Sequence, residues 1–465
     1  MKHRLPLLAA AIGVLTAAYA SDPVVTTSFT PDPAPYVHGD TVYLFTGHDE
    51  DDAQYFKMKD WQLFSTTDML NWTYRGTPIS TATFGWAEQG DNAWAAQAVE
   101  RNGKWYWYIC AGDTARRGLH SIGVAVAPAP EGPYTDPLGE PLVPGTTLGF
   151  IDPSVFIDND GQAWLFWGNN GMWYAPLADD MISLAGEVRE VAGLNDPAAF
   201  GPMREKRDYA TNTMMMKTNY EEGPWVFRRG DTYYIVYAAG GVPEHMAYSY
   251  ASDIHGPWTY GGRIIDESPA SFTIHGGSIE FKGRHFMFYH NGLAPNGGGF
   301  RRATTVEEFS WQGDSLPFIP HTRGALAKGT GTLDPYSRVE AETMAGCYGL
   351  KTDRRAGSDH YITSVHNGDW LRLRDVDFGE ELPAGASMSV IFSAVKEGGC
   401  VEFYLDRPGG TLLARVEAPA GAEAGLVGTG DAKAGVSDIH DVYLLFRGGD
   451  SELFDVDAWQ LHRPL

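Results

Sequence analysis

Several things are scarce in this sequence of 465 residues. Three cysteines are too few for a disulfide scaffold, and their spacing matches no metal-binding pattern. Positive charge is sparse: 35 Lys and Arg stand against 59 Asp and Glu, a formal net charge of −24. So acidic a surface repels nucleic acid and anionic membranes, which excludes both as partners, whereas a neutral polysaccharide meets no such barrier. Long helical periodicity is missing, which argues against an α/β barrel. Neither G-x-S-x-G nor H-E-x-x-H occurs, so a serine esterase or zinc peptidase has no motif to stand on. Beyond the first 20 residues no apolar run is long enough to cross a bilayer.

What the sequence has in quantity is aromatic: 14 Trp, 23 Tyr and 22 Phe, punctuated by 55 Gly and 28 Pro. Aromatics suit strands and sugar-stacking sites, and Gly and Pro suit the turns between short strands. The N-terminus carries Lys2 and Arg4, an apolar run from Leu5 to Ala18, and the small-residue pattern Ala18-Tyr19-Ala20. This predicts a signal peptide over 1–20 and an exported protein, periplasmic or secreted. That compartment permits disulfides. Cys347 and Cys400 share the C-terminal region and leave a pairing open, while Cys110 reads as a buried thiol in a strand.

A phrase recurs: a polar opener, a short apolar strand, a glycine turn and an aromatic strand. The turn glycines are Gly39, Gly103, Gly161, Gly230 and Gly283, at intervals of about 50–70 residues. Each copy reads as a β-hairpin. Five such units predict an all-β fold whose first domain, 21–325, is a five-bladed β-propeller; a large β-sandwich would leave the repeat unexplained. Residues 326–335 read as a linker. Runs alternating at period two, such as Met388–Phe392 and Val401–Leu405, predict a smaller β-sandwich (jelly-roll) over 336–465.

The phrase openers are Asp32, Gln97, Asp152, Glu222 and His275, and a propeller would bring them to one mouth of its channel. Three carboxyl groups can split the work of sugar cleavage: one protonates the leaving oxygen, one activates water, and a third raises the acid's pKa. Asp-Pro and Glu-Gly-Pro also make ordinary turns, but three carboxylates at equivalent repeat positions favour chemistry.

The stretches Ser28–Pro35, Phe150–Phe156, Glu222–Phe227, His275–Ile279 and Phe300–Thr304 resemble glycoside hydrolase family 43 over about residues 22–325. The resemblance implies a five-bladed propeller that hydrolyses glycosides with inversion. It implies Asp32 as general base, Glu222 as general acid, and Asp152 as the residue orienting that acid and tuning its pKa. Glu221 is the rival acid; the family's Glu-Gly-Pro places the acid directly before Gly, hence Glu222. By the same likeness His275 lies at the channel centre, beside a cation or water, and Arg302, with Arg301 as alternate, contacts the sugar. Trp94, beside the opener Gln97, is a stacking platform, with Gln97 and His275 as further substrate contacts. The acidic run Gly47–Asp52 is expected to rim the mouth. With Phe56–Trp61 it is similar to members that remove arabinofuranosyl units.

Glu340–Glu342, Asn367–Leu371 and Asp441–Trp459 resemble carbohydrate-binding module family 6 over about 336–463. This implies a structural Ca²⁺ held by Glu340, Glu342 and Asp457, hard oxygen ligands suited to that ion. The loop Ala418–Gly428 lacks the aromatic that the family supplies for its cleft, and Asp455 stands where Asn is common. Tyr361 is the remaining platform, so weak sugar binding and a purely structural role are both open.

The expected function is exo-hydrolysis of a terminal pentose from a plant-type oligo- or polysaccharide such as arabinoxylan or arabinan, with no cofactor for the chemistry. α-L-Arabinofuranose is the first choice; a β-D-xylosidase or a galactan- or galactofuranoside-active enzyme are alternatives. A non-catalytic sugar-binding protein would be expected to have lost a carboxylate, and all three are present.

Overall fold

The computed structural model describes residues 23–464 apart from 209–210, 323–325 and 356–358; the expected signal peptide, 1–20, lies outside them. The described chain is almost entirely β, with one four-residue α-turn at Pro197–Phe200 and one 3₁₀ turn at Thr81–Thr83.

Five antiparallel sheets follow one another along the N-terminal domain, each starting near a phrase opener. Their first strands are Ala34–His38, Ala93–Arg101, Ser154–Ile157, Tyr220–Arg229 and Ser278–Phe281. The expected hairpins form, and all five turn glycines have positive φ, between 58° and 88°. In the two-residue turns Asn102-Gly103 and Lys282-Gly283 both residues have positive φ, as a type I′ turn demands.

Ring contacts join four of the five neighbouring pairs of sheets, and the Tyr108 hydroxyl, donating to Met181 O, links the second to the third. Trp105 of the second sheet sits against Tyr36 and Tyr43 of the first, with ring centroids 5.3 Å apart in each case. Phe156 of the third meets Tyr233 of the fourth, and Trp311 touches Tyr234 of the fourth and Phe309 of the fifth. Phe288 of the fifth packs edge-on against Trp72 of the first at 6.0 Å. The segment leading into the first sheet also bonds to the last: Val24 N–H donates to Thr304 O, and Thr30 N–H to Arg302 O. Trp61, Trp72, Trp107 and Trp167 are fully buried, each contributing about 2–3 kcal/mol of hydrophobic stabilisation.

The C-terminal domain is two packed sheets. One holds Lys351–Arg354, His360–Thr363, Phe454–His462, Ser387–Val395 and Leu426–Asp431; the other holds Gly346–Tyr348, Trp370–Asp377, Ile439–Gly448, Gly399–Leu405 and Thr411–Ala418. Phe403 and Trp459 meet in the core between them, 5.6 Å apart. Cys110, Cys347 and Cys400 are all free and buried, so the pairing left open between Cys347 and Cys400 is not made. Cys347 Sγ instead lies 3.2 Å from Thr26 Oγ1.

The segment 326–335 is anchored to both domains. Thr330 N–H donates to Asp68 O, and Leu333 N–H to Asp375 O. Strand Thr343–Met344 pairs with Trp72–Tyr74, adding a strand of the second domain's chain to the edge of the first sheet. Asn71 and Arg374 exchange two hydrogen bonds of 2.8 Å across the same junction. Backbone pairing of this kind seals an otherwise open edge.

Candidate active site

Asp32, Asp152, Glu222, His275, Arg302 and Trp94 all line one cavity of about 400 Å³ in the N-terminal domain. That is the size range of small-ligand sites. Asp32 and Asp152 both precede a proline and both have positive φ, 55° and 59°. A non-glycine residue in this region costs about 1–3 kcal/mol, and such strain concentrates at functional sites. Glu222 sits at an irregularity in its strand, where the pairing with the next strand shifts register around Glu222-Gly223-Pro224. Gly223 has φ of 61°, and a Cβ there would stand 3.0 Å from the His275 ring, so only glycine lets the two segments meet.

The three carboxyl groups differ in environment. Burial works to raise the Asp32 pKa, but the Arg302 guanidinium, with Nη1 3.1 Å from Oδ1, together with His290 and His275 outweighs it and holds the carboxyl well below its usual range. Asp32 N–H donates to His290 Nδ1 (3.1 Å), which leaves the ring hydrogen on Nε2 for Thr273 O (3.1 Å). Arg302 is held in turn by Asp49, whose oxygens accept from its Nε and Nη2, both at 2.9 Å. Its guanidinium lies 4.9 Å over the Phe56 ring. Asp49 is fully buried, so the acidic run at 48–52 is a rim only in part, with Asp51 and Asp52 exposed.

Glu222 and Asp152 are pushed the other way. Burial raises the Glu222 pKa, opposed by a hydrogen bond from Asn169 Nδ2 and reinforced by the negative charge of Asp32. Burial and the charge on Glu222 raise Asp152, whose Oδ2 accepts the Gly223 N–H at 3.0 Å. The pair therefore holds a proton over a pH range in which Asp32 is already ionised. Two groups with pKa values driven apart in this way form an acid and base ready for use.

Glu221, the rival acid, also borders the cavity, but its carboxylate is engaged by cations. Its carboxylate pairs with Arg204 and, at 3.0 Å, with Lys206. Burial lowers the Lys206 pKa to about 7. Both cations come from the hairpin Arg204–Asp208/Thr213–Lys217, which lies outside the five sheets.

His275 Nδ1 stands 3.7 Å from Asp32 Oδ1, and burial lowers its pKa to about 4, so the ring is neutral. Trp94 is stacked on His120 at 3.9 Å and forms an aromatic wall with Phe56 and Phe272. Arg301, the alternate to Arg302, donates to Asn296 O and Ala53 O and holds loops together. Gln97 is a correction: it does not line the cavity. Its amide donates to Val155 O (3.1 Å) and accepts from Val155 N–H (3.0 Å), joining the second sheet to the third. A side-chain amide that mimics a peptide group is well suited to that clamp.

Sequence reasoning missed Glu244, Asn169, Lys206, His290 and His120. None opens a repeated phrase, so the repeat held no signal for them.

In the C-terminal domain, Glu340 and Asp457 both accept from Arg338 Nη2, at 2.9 and 3.0 Å. Glu342 Oε2 and Asp457 Oδ1 are buried without a partner among the described residues, and burial raises Glu342 to about pKa 8. Unpartnered buried carboxylate oxygens fit a hard cation. The guanidinium of Arg355 lies 5.1 Å over the Tyr361 ring, covering that platform. Asp455 Oδ1 accepts from Thr363 Oγ1 and Lys396 Nζ.

Residues 21–317 match the family model described as Glycosyl hydrolases family 43, and residues 340–463 match Carbohydrate binding module (family 6). The chain is 26% identical to an arabinoxylan arabinofuranohydrolase of Bacillus subtilis, covering 95% of this chain and 92% of that one. It is 30% identical to xylosidase/arabinosidase 43A of Humicola insolens, covering 63% of this chain and 97% of that one. The solved structure of a Bacillus subtilis family 43 arabinoxylan arabinofuranohydrolase in complex with cellotetraose superposes with a TM-score of 0.76 at 23% identity, over 96% of this chain and 98% of that one, which shows a shared fold. With its carboxyl-lined cavity and these matches, the chain belongs to glycosyl hydrolase family 43 and carries a family 6 carbohydrate-binding module behind its hydrolase domain.

Proposed function

We propose that this glycoside hydrolase is exo-acting and inverting, and that it releases terminal α-L-arabinofuranose from arabinoxylan or arabinan. The observation that carries the reading is the cavity in which Asp32 is held ionised by Arg302 while burial keeps a proton on the Glu222–Asp152 pair. In this mechanism Asp32 takes a proton from the water that attacks the anomeric carbon. Glu222 gives its proton to the departing oxygen. Asp152 holds the Gly223 N–H and, by its proximity, disfavours early loss of the Glu222 proton. Arg302 and His275 line the same cavity and are the expected contacts for the sugar hydroxyls, with Trp94 and Phe56 against its apolar face.

The choice of arabinose is supported by the Bacillus subtilis relative. β-D-Xyloside hydrolysis is the second reading, favoured by the Humicola insolens relative, which is named for both activities. Initial rates on aryl α-L-arabinofuranoside and aryl β-D-xyloside, with Asp32→Ala alongside, test both. The expected result is activity on the arabinofuranoside that the variant loses. Activity on the xyloside alone would transfer the assignment, and activity on neither would overturn the pentosidase reading.

The five sheets are read as the blades of a propeller, supported by the aromatic contacts between successive sheets and by the pairing of residues 24–30 with 302–304. A structural Ca²⁺ is placed on Glu340, Glu342 and Asp457, supported by their two unpartnered buried oxygens. When bound, the ion would neutralise these carboxylates and tie the strand Val339–Glu340 to Phe454–His462. Export is supported by the character of residues 1–20.

A further inference from the structure

The cavity holds a fourth carboxyl group that the mechanism does not use. Glu244 lines it, is only 2% exposed, and follows a turn whose Val242, at the cavity mouth, is 68% exposed. The chain therefore drops from surface to cavity wall within two residues. Two bonds fix it there: Glu244 N–H donates to Phe272 O (3.1 Å), and Glu244 Oε2 accepts the Ile274 N–H (3.0 Å). Phe272 and Thr273 line the same cavity, and His275 follows directly. Oε1 makes no hydrogen bond to the described residues and is not among the enclosed, unpartnered atoms, so it is open to the cavity.

We propose that Glu244 is a specificity-determining residue whose free carboxyl oxygen hydrogen-bonds a ring hydroxyl of the sugar in the cavity, so that it sets which pentose is cleaved. The proposal rests on the pentosidase reading above. Arabinofuranose and xylopyranose differ in where their hydroxyls point, and one fixed polar group can favour one over the other. Burial and the neighbouring Glu222 carboxyl raise the Glu244 pKa, which favours its neutral acid form, and a carboxylic acid can donate to a hydroxyl oxygen. A purely structural Glu244 would need only the oxygen that accepts from Ile274.

The test is the ratio of kcat/KM on aryl α-L-arabinofuranoside to that on aryl β-D-xyloside, measured for wild type, Glu244→Ala, Glu244→Asp and Glu244→Gln. Loss of a hydrogen bond to the sugar should reduce kcat/KM by about 10–100-fold on the favoured substrate and less on the other, changing the ratio about tenfold or more. Glu244→Gln keeps an acceptor for Ile274 and a donor for the sugar, so it should stay within a few-fold of wild type. Glu244→Asp retains a carboxyl but withdraws it by one methylene, and it carries the test if the alanine variant does not fold. An unchanged ratio in Glu244→Ala, or in Glu244→Asp if the alanine variant does not fold, overturns the proposal. Inactivity of the wild type on both substrates would instead overturn the pentosidase reading.

Discussion

Both domains bury carboxyl groups, and they treat them differently. In the hydrolase domain Asp32, Asp152, Glu222 and Glu244 surround a cavity, and of these four only Asp32 is ion-paired with Arg302. The result is unequal acidity: one group is held strongly acidic, while burial and mutual repulsion raise the pKa of its neighbours. In the C-terminal domain Arg338 bridges Glu340 and Asp457, while Glu342 stays buried with a raised pKa and an unpartnered oxygen. There Glu340 and Glu342 line a smaller pocket of about 270 Å³ among charged side chains such as Arg75 and Arg338, with no Trp, Tyr or Phe wall among the described residues. Nearness of carboxylates is thus common to both regions. Only the first combines it with opposed pKa shifts and room for a sugar ring, which is what acid–base catalysis requires.

The sharpest way to break this contrast is to remove the ionised base. Asp32→Ala should lower kcat by about 10²–10⁴-fold on an aryl pentoside with little change in melting temperature, because the site's strain is released as its charge is lost. A variant with near wild-type turnover would remove the distinction between the two regions.

Glu221→Gln tests whether Glu221 is structural. It removes the carboxylate charge paired with Lys206 and Arg204, so stability should fall by about 3 kcal/mol in denaturant unfolding. Turnover at the optimum should stay within about tenfold. The reverse pattern, a stable but inactive protein, would make Glu221 the acid.

Asp152→Asn probes the opposed pKa shifts directly. The coupled Asp152 and Glu222 carboxyls disfavour each other's ionisation, so removing Asp152 lets Glu222 lose its proton more easily. The basic limb of the kcat profile should therefore move to lower pH, by about one unit. The acidic limb, set by Asp32, should move little.

For the C-terminal domain the linkage has the opposite consequence to that of Asp32. A glutamate raised in the folded state to about 8 gives stability that is full below its unfolded value of about 4.3 and declines as pH rises toward 8. Calcium should offset that decline and raise the melting temperature at pH 8, chelator should reverse the gain, and Glu342→Gln should abolish the calcium response. The smallest effect is expected at the exposed pair Lys351–Asp51, 2.8 Å apart across the domain junction. Lys351→Ala should cost under about 1 kcal/mol.

The architecture was largely legible in the sequence because it is written in local terms. Turn glycines need positive φ, strands alternate, and the phrase repeats, so hairpins at Gly103 and Gly283 follow from neighbours in the chain. Asp32, Asp152 and Glu222 were visible because they open those phrases. Gln97 opens one too, yet its amide turns to Val155 of the next sheet. The same-looking position thus serves cohesion in one sheet and lines the cavity in others. Both Glu221 and Glu222 border the cavity, and tertiary structure alone decided which of them is engaged by cations, since the choice depends on a register shift and on Arg204 and Lys206 from a separate hairpin. It alone also brought Asp49 to Arg302 across 253 positions of chain and placed Glu244 beside Ile274. Local pattern specifies which strands and turns form, because those depend on the conformational preferences of adjacent residues. Charge pairing, burial and the shape of a cavity depend on groups distant in the chain, and only the folded packing brings those together.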